Sequence, residues 1–187
     1  MRSGFEIPES IKFYNELLQE AGYFTSNCSK TDYNLRGPNG RNPKTFWNYS
    51  GKDYADTWKK RKKDQPFFTV YNIGESHESR AFGDHNDESI DPQKMILAPY
   101  HPDLPEMRNT YAKYSSAISK MDSLVGKAIE NLKNDNLYDD TIIVYNSDHG
   151  GVLARSKRFL YSSGIHCPLI VRIPAKWKHL YLSLIHI

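Results

Sequence analysis

Three short polar clusters carry the side chains that could do chemistry. NCSKTD, residues 27–32, offers Lys30 and Asp32; GESHESR, residues 74–80, offers His77; SDHGG, residues 147–151, offers Asp148 and His149. The last is the most specific, because it closes the apolar run TIIVYN, and ending a buried strand on a carboxylate costs desolvation energy unless something positive compensates it. A metal ion held by Asp148 and His149 is one compensation; capping of a following helix by Asp148 is the other reading. Lys30 with Asp32 reads equally as a solvated charge pair, and His77 as a histidine satisfied by local hydrogen bonds. The run KKRKK, residues 59–63, is either an exposed loop of mutually repelling cations or a patch for a polyanion.

Such clusters act together only if the elements before them end on one edge of a sheet. Pro8, Glu9 and Ser10 open a helix with Ile11, Tyr14, Leu17, Leu18 and Ala21 on one face and Gly22 at its C-terminal cap. A strand over residues 23–27 follows. Residues 35–65, rich in Gly, Asn, Pro and Lys, read as a long surface connection with one helical turn near Trp58. PFFTVYNIG, residues 66–74, is a strong strand. After a proline-punctuated loop, Met107, Tyr111, Tyr114, Ile118, Met121, Val125, Ala128 and Leu132 recur at spacings of four and three, which predicts a long scaffold helix. Strands over residues 141–147 and 167–173 complete the pattern. Strand, helix and nearly all-apolar strand in succession predict an α/β fold, a mainly parallel sheet sandwiched by helices, with ligands beyond the carboxyl ends of the strands.

Composition sets the bounds. A chain of 187 residues with 39% hydrophobic and 25% charged residues is long enough for one globular core. A net charge of +3 against 22 acidic residues is too balanced to imply nucleic acid as a partner. No apolar run approaches the ~20 residues needed to cross a bilayer, and the first ten residues lack the hydrophobic stretch of a secretory signal. Cys28 and Cys167 fit neither a disulfide framework nor a paired metal-ligand spacing. Sequons at Asn27 and Asn48 would matter only in a eukaryotic secretory pathway.

Three ordered blocks carry a family resemblance. LQEAGYFTSNCSKTDYN resembles the sulfatase segment that delivers a sulfate-contacting lysine, PFFTVYNIGESHESR the strand and loop that deliver a catalytic histidine, and DDTIIVYNSDHGGVLARSKRFLYSSGIHCPLIVRIP the stretch of strand, metal-ligand pair, lysine and Gly-x-x-x-Pro turn. The chain is thus similar to type I sulfatases of the alkaline phosphatase superfamily, nearest to bacterial heparan-sulfatase-like and sulfamidase-like members. The resemblance implies an alkaline-phosphatase-like fold and hydrolysis of a sulfate ester or N-sulfate. It implies that Asp148 and His149 ligate a divalent metal, commonly calcium in the family, although imidazole is an unusual calcium ligand. By the same resemblance Lys30 and Lys157 neutralise sulfate oxygens and His77 serves the leaving group. Asp32, which stands where many members have histidine, falls with Arg155 and His166 at substrate-binding positions.

The resemblance also implies a formylglycine nucleophile, made from Cys or Ser in a Cys/Ser-x-Pro/Ala-x-Arg context that neither Cys28 nor Cys167 has. The expectation is therefore a central part of a sulfatase catalytic domain over residues 1–179, truncated at both ends and inactive alone, with a non-native tail at residues 180–187. Its substrate is a sulfated small molecule or glycan, with no nucleic-acid or membrane partner. The parent enzyme is expected in the periplasm or secreted. Alternatives are a phosphodiesterase or phosphonate hydrolase of the same superfamily, and a non-catalytic polyanion-binding module.

Overall fold

Residues 4–52, 54, 57–82 and 87–181 are described by the computed structural model, in which the chain forms two units, Met1–Asn72 and Ile73–Ile187. The first unit is organised around β2 (Phe24–Cys28). Before it come β1 (Phe5–Glu6) and α1 (Tyr14–Glu20), and after it β3 (Leu35–Arg36), β4 (Tyr49–Gly51) and β5 (Phe67–Tyr71). Strand β2 lies between β4 and β5, parallel to both, with Cys28 opposite Gly51 on one side and Tyr71 on the other. Strands β1 and β3 form a separate parallel pair.

Helix α1 starts later than its apolar spacing predicts. The Glu16 carboxylate accepts from the Phe13 N–H at 3.0 Å, fixing the first turn at Tyr14. Ile11, Tyr14 and Leu17 are half exposed, and the buried residue is Asn15, whose amide donates to the Phe46 carbonyl at 2.6 Å. The helix ends as expected: Gly22 has φ +90°, its N–H reaches the Gln19 carbonyl, and the Tyr23 N–H reaches the Leu18 carbonyl. This double bond closes a helix on a left-handed residue, which glycine adopts without strain.

Every residue of β2 is buried, yet three of the five are polar. Central parallel strands are usually Val/Ile-rich because both faces are covered. Here each polar side chain has a partner instead: Thr25 with Gln19 and Asn48, Ser26 with Thr69 at 2.7 Å, and Asn27 with the Lys30 carbonyl and Asn72. No buried side-chain nitrogen or oxygen among the described residues lacks a partner. Burial of Asn27 also removes its sequon from the surface.

The polar segment 35–65 is not merely a surface connection. It contributes β3 and β4 and buries Phe46, Trp47, Thr57 and Trp58. Trp58 packs on the rings of Phe67 and Tyr71 at centroid distances of 5.5 and 6.2 Å. Isolated aromatics in a polar background carry no period, so their burial left no pattern to read. Within the basic run, Arg61 donates to the Trp58 carbonyl and Lys60 lies 4.0 Å from the Tyr49 ring, so two of its cations pack on the unit.

The second unit contains α2 (Pro105–Asn134), β6 (Ile143–Asn146), α3 (Ser162–Ile165) and β7 (Leu169–Arg172). Helix α2, 30 residues and therefore about 45 Å long, buries Met121 and Leu132 of the predicted stripe, and beside it the smaller Ala112, Ser116 and Ala117, which the stripe did not include. Strands β6 and β7 pair antiparallel, Asn146 opposite Leu169, and thus depart from the parallel arrangement expected of them. Their connection contains only the one-turn α3, so nothing covers a face as a full crossover helix would. Ile142, Val144, Leu169 and Ile170 are all about half exposed or more. The architecture is mixed α/β with parallel pairing predominant, but the pairings fall into three small sheets among the described residues.

Beyond β7, residues Ala175–Leu180 form a 3-10 helix, and the Tyr181 hydroxyl donates to the Ile173 carbonyl at 2.9 Å. Most of the expected tail, residues 182–187, lies outside the described residues. No described helix is long and apolar enough to cross a membrane.

Candidate active site

Lys30 and Asp32 belong to the first unit. After β2, Ser29 turns the chain with φ +71°, and the buried Asn27 amide donates to the Lys30 carbonyl at 2.6 Å, so the turn is tied to the strand it leaves. Both residues line a cavity of about 130 Å³ with Tyr14, Asn27, Tyr33, Trp47, Val70 and Asn72. The Trp47 indole N–H donates to the Tyr33 hydroxyl at 2.8 Å. Burial raises the pKa of Tyr14, with nearby Tyr33 adding to it. Burial likewise raises Tyr33, opposed by the Trp47 bond and reinforced by Asp32. Both phenols therefore stay protonated, and the cavity offers aromatic walls, amides, one ammonium group and the Asp32 carboxylate.

His77, Asp148, His149, Arg155, Lys157 and His166 belong to the second unit. His77 caps the short turn Glu78–Arg80: its Nδ1 accepts from the Ser79 N–H at 3.2 Å and lies 2.9 Å from the Ser79 hydroxyl. An accepting Nδ1 carries no proton, so the neutral ring bears its hydrogen on Nε2, and His77 itself is exposed. The next residue, Glu78, takes both Arg158 Nη atoms, at 2.6 and 2.8 Å, and lies 3.4 Å from the Lys157 ammonium. The Arg158 hydrogen bonds, with Lys157 assisting against burial, hold the Glu78 carboxyl below its ordinary pKa. Glu78 thereby places Lys157 beside the His77 turn.

The backbone around Lys157 is fixed at several points. Its N–H donates to the Gly151 carbonyl at 2.9 Å, and Arg155 and Arg158 on either side have φ of +64° and +74°. The Gly150 N–H donates to the Gly164 carbonyl at 2.8 Å. A Cβ on Gly150 would lie 2.0 Å from the Ser163 carbonyl oxygen, and one on Gly164 2.1 Å from that of Phe159. The glycines of SDHGG and of the Gly-x-x-x-Pro turn are thus required where two backbones meet.

Asp148 and His149 are arranged differently from the buried strand end that the sequence predicts. The Asp148 side chain is 75% exposed, so it bears no burial cost, and no helix follows for it to cap. His149 Nδ1 lies 2.7 Å from the Gly150 carbonyl, to which it donates, and Nε2 faces an Asp148 oxygen at 3.7 Å. An imidazole oriented by a carbonyl, with its second ring nitrogen toward a carboxylate, is an arrangement that suits a divalent metal. The pair offers two candidate ligands only; no group of three or more His, Cys, Asp or Glu that could hold a metal occurs among the described residues. Arg155 stacks between the rings of Tyr100 and Tyr161, at 4.6 and 4.3 Å, and His166 is exposed beyond α3. Cys28 is fully buried, and neither Cys28 nor Cys167 forms a disulfide.

Two residues escaped the sequence reading. Glu78 stands inside a block singled out for its histidine, but its partner is 80 residues away and no spacing announces it. His101 donates from Nε2 to the Ala154 carbonyl at 3.0 Å and accepts the Tyr111 hydroxyl at Nδ1, tying α2 to the loop that bears Lys157. Its place in a proline-rich loop carried no period that would have marked it.

The first unit sets a parallel three-stranded sheet behind one polar cluster, and the second carries a histidine, an acid-held lysine and an Asp-His pair on tied loops, within a mixed α/β protein. The chain belongs to the sulfatase family, whose model matches residues 12–186. It is 32% identical over 90% of its length to an ulvan-active sulfatase of Formosa agariphila, of which it covers 33%. It is 27% identical over 58% of its length to human N-sulphoglucosamine sulphohydrolase, covering 21% of that protein. To bovine arylsulfatase K it is 29% identical over 42% of its length, covering 15%. The chain therefore spans a third or less of these relatives.

Proposed function

We propose that this chain carries the oxyanion-binding and proton-donating groups of a sulfuric ester hydrolase acting on sulfate esters or N-sulfates. The observation behind the reading is the second-unit cluster in which Glu78 holds Lys157 next to the His77 turn. Displacement at sulfur forms a bond from an incoming oxygen nucleophile, water in the overall hydrolysis, as the bond to the substrate's oxygen or nitrogen breaks, and negative charge builds on both the sulfuryl oxygens and the departing atom. The Lys157 ammonium offsets the first. His77, with its hydrogen on Nε2, would give that proton to the second, so that an alcohol or amine leaves neutral. Lys30 is the corresponding oxyanion contact of the first unit.

Asp148 and His149 would supply two ligands of a divalent metal, which when bound contributes positive charge toward the sulfuryl oxygens. The chain's cysteines do not suit the formylglycine role. Cys28 is enclosed in β2, and neither cysteine precedes the required Pro/Ala and Arg pattern. No step is assigned to that group. Family membership and the names of the relatives favour sulfate over phosphate esters.

The test is equilibrium binding of 4-nitrophenyl sulfate to the chain, followed by NMR. Selective weakening by Lys157→Ala and His77→Ala, with affinity retained after charge reversal of residues 59–63, supports the reading. Affinity lost only on reversal of the basic run points to polyanion binding instead and defeats it.

A further inference from the structure

Glu78 is more than a tether. Its carboxylate lies in the fork of the Arg158 guanidinium and against the Lys157 ammonium, the donor set with which proteins also hold sulfate and phosphate groups. The distances are unequal for a geometrical reason. A carboxylate has two oxygens, and Arg158 takes both, at 2.6 and 2.8 Å, so Lys157 must share Oε2 and stands off at 3.4 Å. A tetrahedral oxyanion on the same fork would present a third oxygen to the ammonium. The trio carries a net positive charge of one, so the carboxylate leaves the seat attractive to an incoming anion. Arg158 is 67% exposed and on the surface, where such an anion arrives.

We infer that Lys157 and Arg158 form a two-cation seat for a tetrahedral oxyanion of the sulfate-monoester class, and that Glu78 is its internal occupant, displaced when that anion binds. The inference rests on the reading of Lys157 as a sulfate contact and adds Arg158 as a second contact and Glu78 as a competitor. Glu78 then keeps two neighbouring cations from repelling one another while the seat is empty of substrate, and sets a threshold that weakly bound anions do not pass.

The experiment titrates the full chain with sodium sulfate against sodium chloride at matched ionic strength, by NMR and calorimetry. Glu78→Gln should bind sulfate about tenfold more tightly, the order expected when one close like charge leaves an anion's seat at the protein surface. Adding Arg158→Ala to that variant should abolish the gain. In the wild type, sulfate should move the Glu78 carboxyl and Arg158 guanidinium signals together, which decides the matter if Glu78→Gln fails to fold. Unchanged or weaker binding by a folded Glu78→Gln, or static Glu78 and Arg158 signals while Lys157→Ala removes wild-type binding, overturns the seat and leaves Lys157 as a contact. Sulfate binding indifferent to Lys157→Ala in every background overturns both.

Discussion

Arg158 and Glu78 are joined fork to fork, at 2.6 and 2.8 Å, across 80 residues of chain. The bond fixes the ionisation of Glu78 and hence a pH dependence. A carboxyl whose folded pKa is depressed contributes stability that is fully present above its ordinary value of 4.5 and is lost as pH falls through the folded value. The difference in melting temperature between wild type and Glu78→Gln should therefore be largest near neutrality and vanish in acid. A pH-independent difference would remove the charge from the explanation.

Asn27 is 1% exposed, and its amide both donates to the Lys30 carbonyl and accepts from Asn72. Asn27→Ala strands buried partners and should cost about 1–3 kcal/mol in urea unfolding. Lys30→Ala, at an exposed position, should stay within about 0.5 kcal/mol.

Glycines separate into two kinds. Gly164→Ala would drive its Cβ to 2.1 Å from the Phe159 carbonyl oxygen and 2.3 Å from that of Ser156, and should cost about 1–3 kcal/mol or more. Gly126, inside α2, has open space around its added Cβ, and Gly126→Ala should stabilise by about 0.4–1 kcal/mol. Equal effects at the two sites would contradict the close backbone approach.

For the Asp-His pair, calorimetry with calcium and manganese chloride reports directly. If the pair holds a metal as proposed, Asp148→Asn or His149→Ala should weaken divalent-metal binding about tenfold or more. Binding unchanged in both variants would assign these side chains another role.

The long helix and strands β2 and β5 were legible because period and turn residues agree locally: Met121 and Leu132 of the α2 stripe, Gly22 at the helix cap and Pro66 before β5 lie where the pattern puts them, while Ala112, Ser116 and Ala117 are buried beside that stripe. Three features were not. The antiparallel pairing of β6 with β7 depends on what connects them rather than on their own apolar runs. Trp58 and Phe46 are buried from a segment whose average composition is polar. The Glu78–Arg158 bond joins residues whose types are unremarkable singly. The physical reason offered for Asp148 does not hold, since the desolvation expected of it does not occur at a side chain that is 75% exposed.

Strand β2 places hydroxyls and an amide where most central strands place hydrocarbon, and every one is matched to a particular group on α1, on β5, or on the segments that follow β2 and β5 or precede β4. A shift of one position would leave each facing the wrong neighbour in a dry interior. The three strands are consequently keyed to a single alignment, and separating any one exposes its companions' needs at the same moment. Opening of this sheet is then an all-or-none event, not a gradual fraying from its edges.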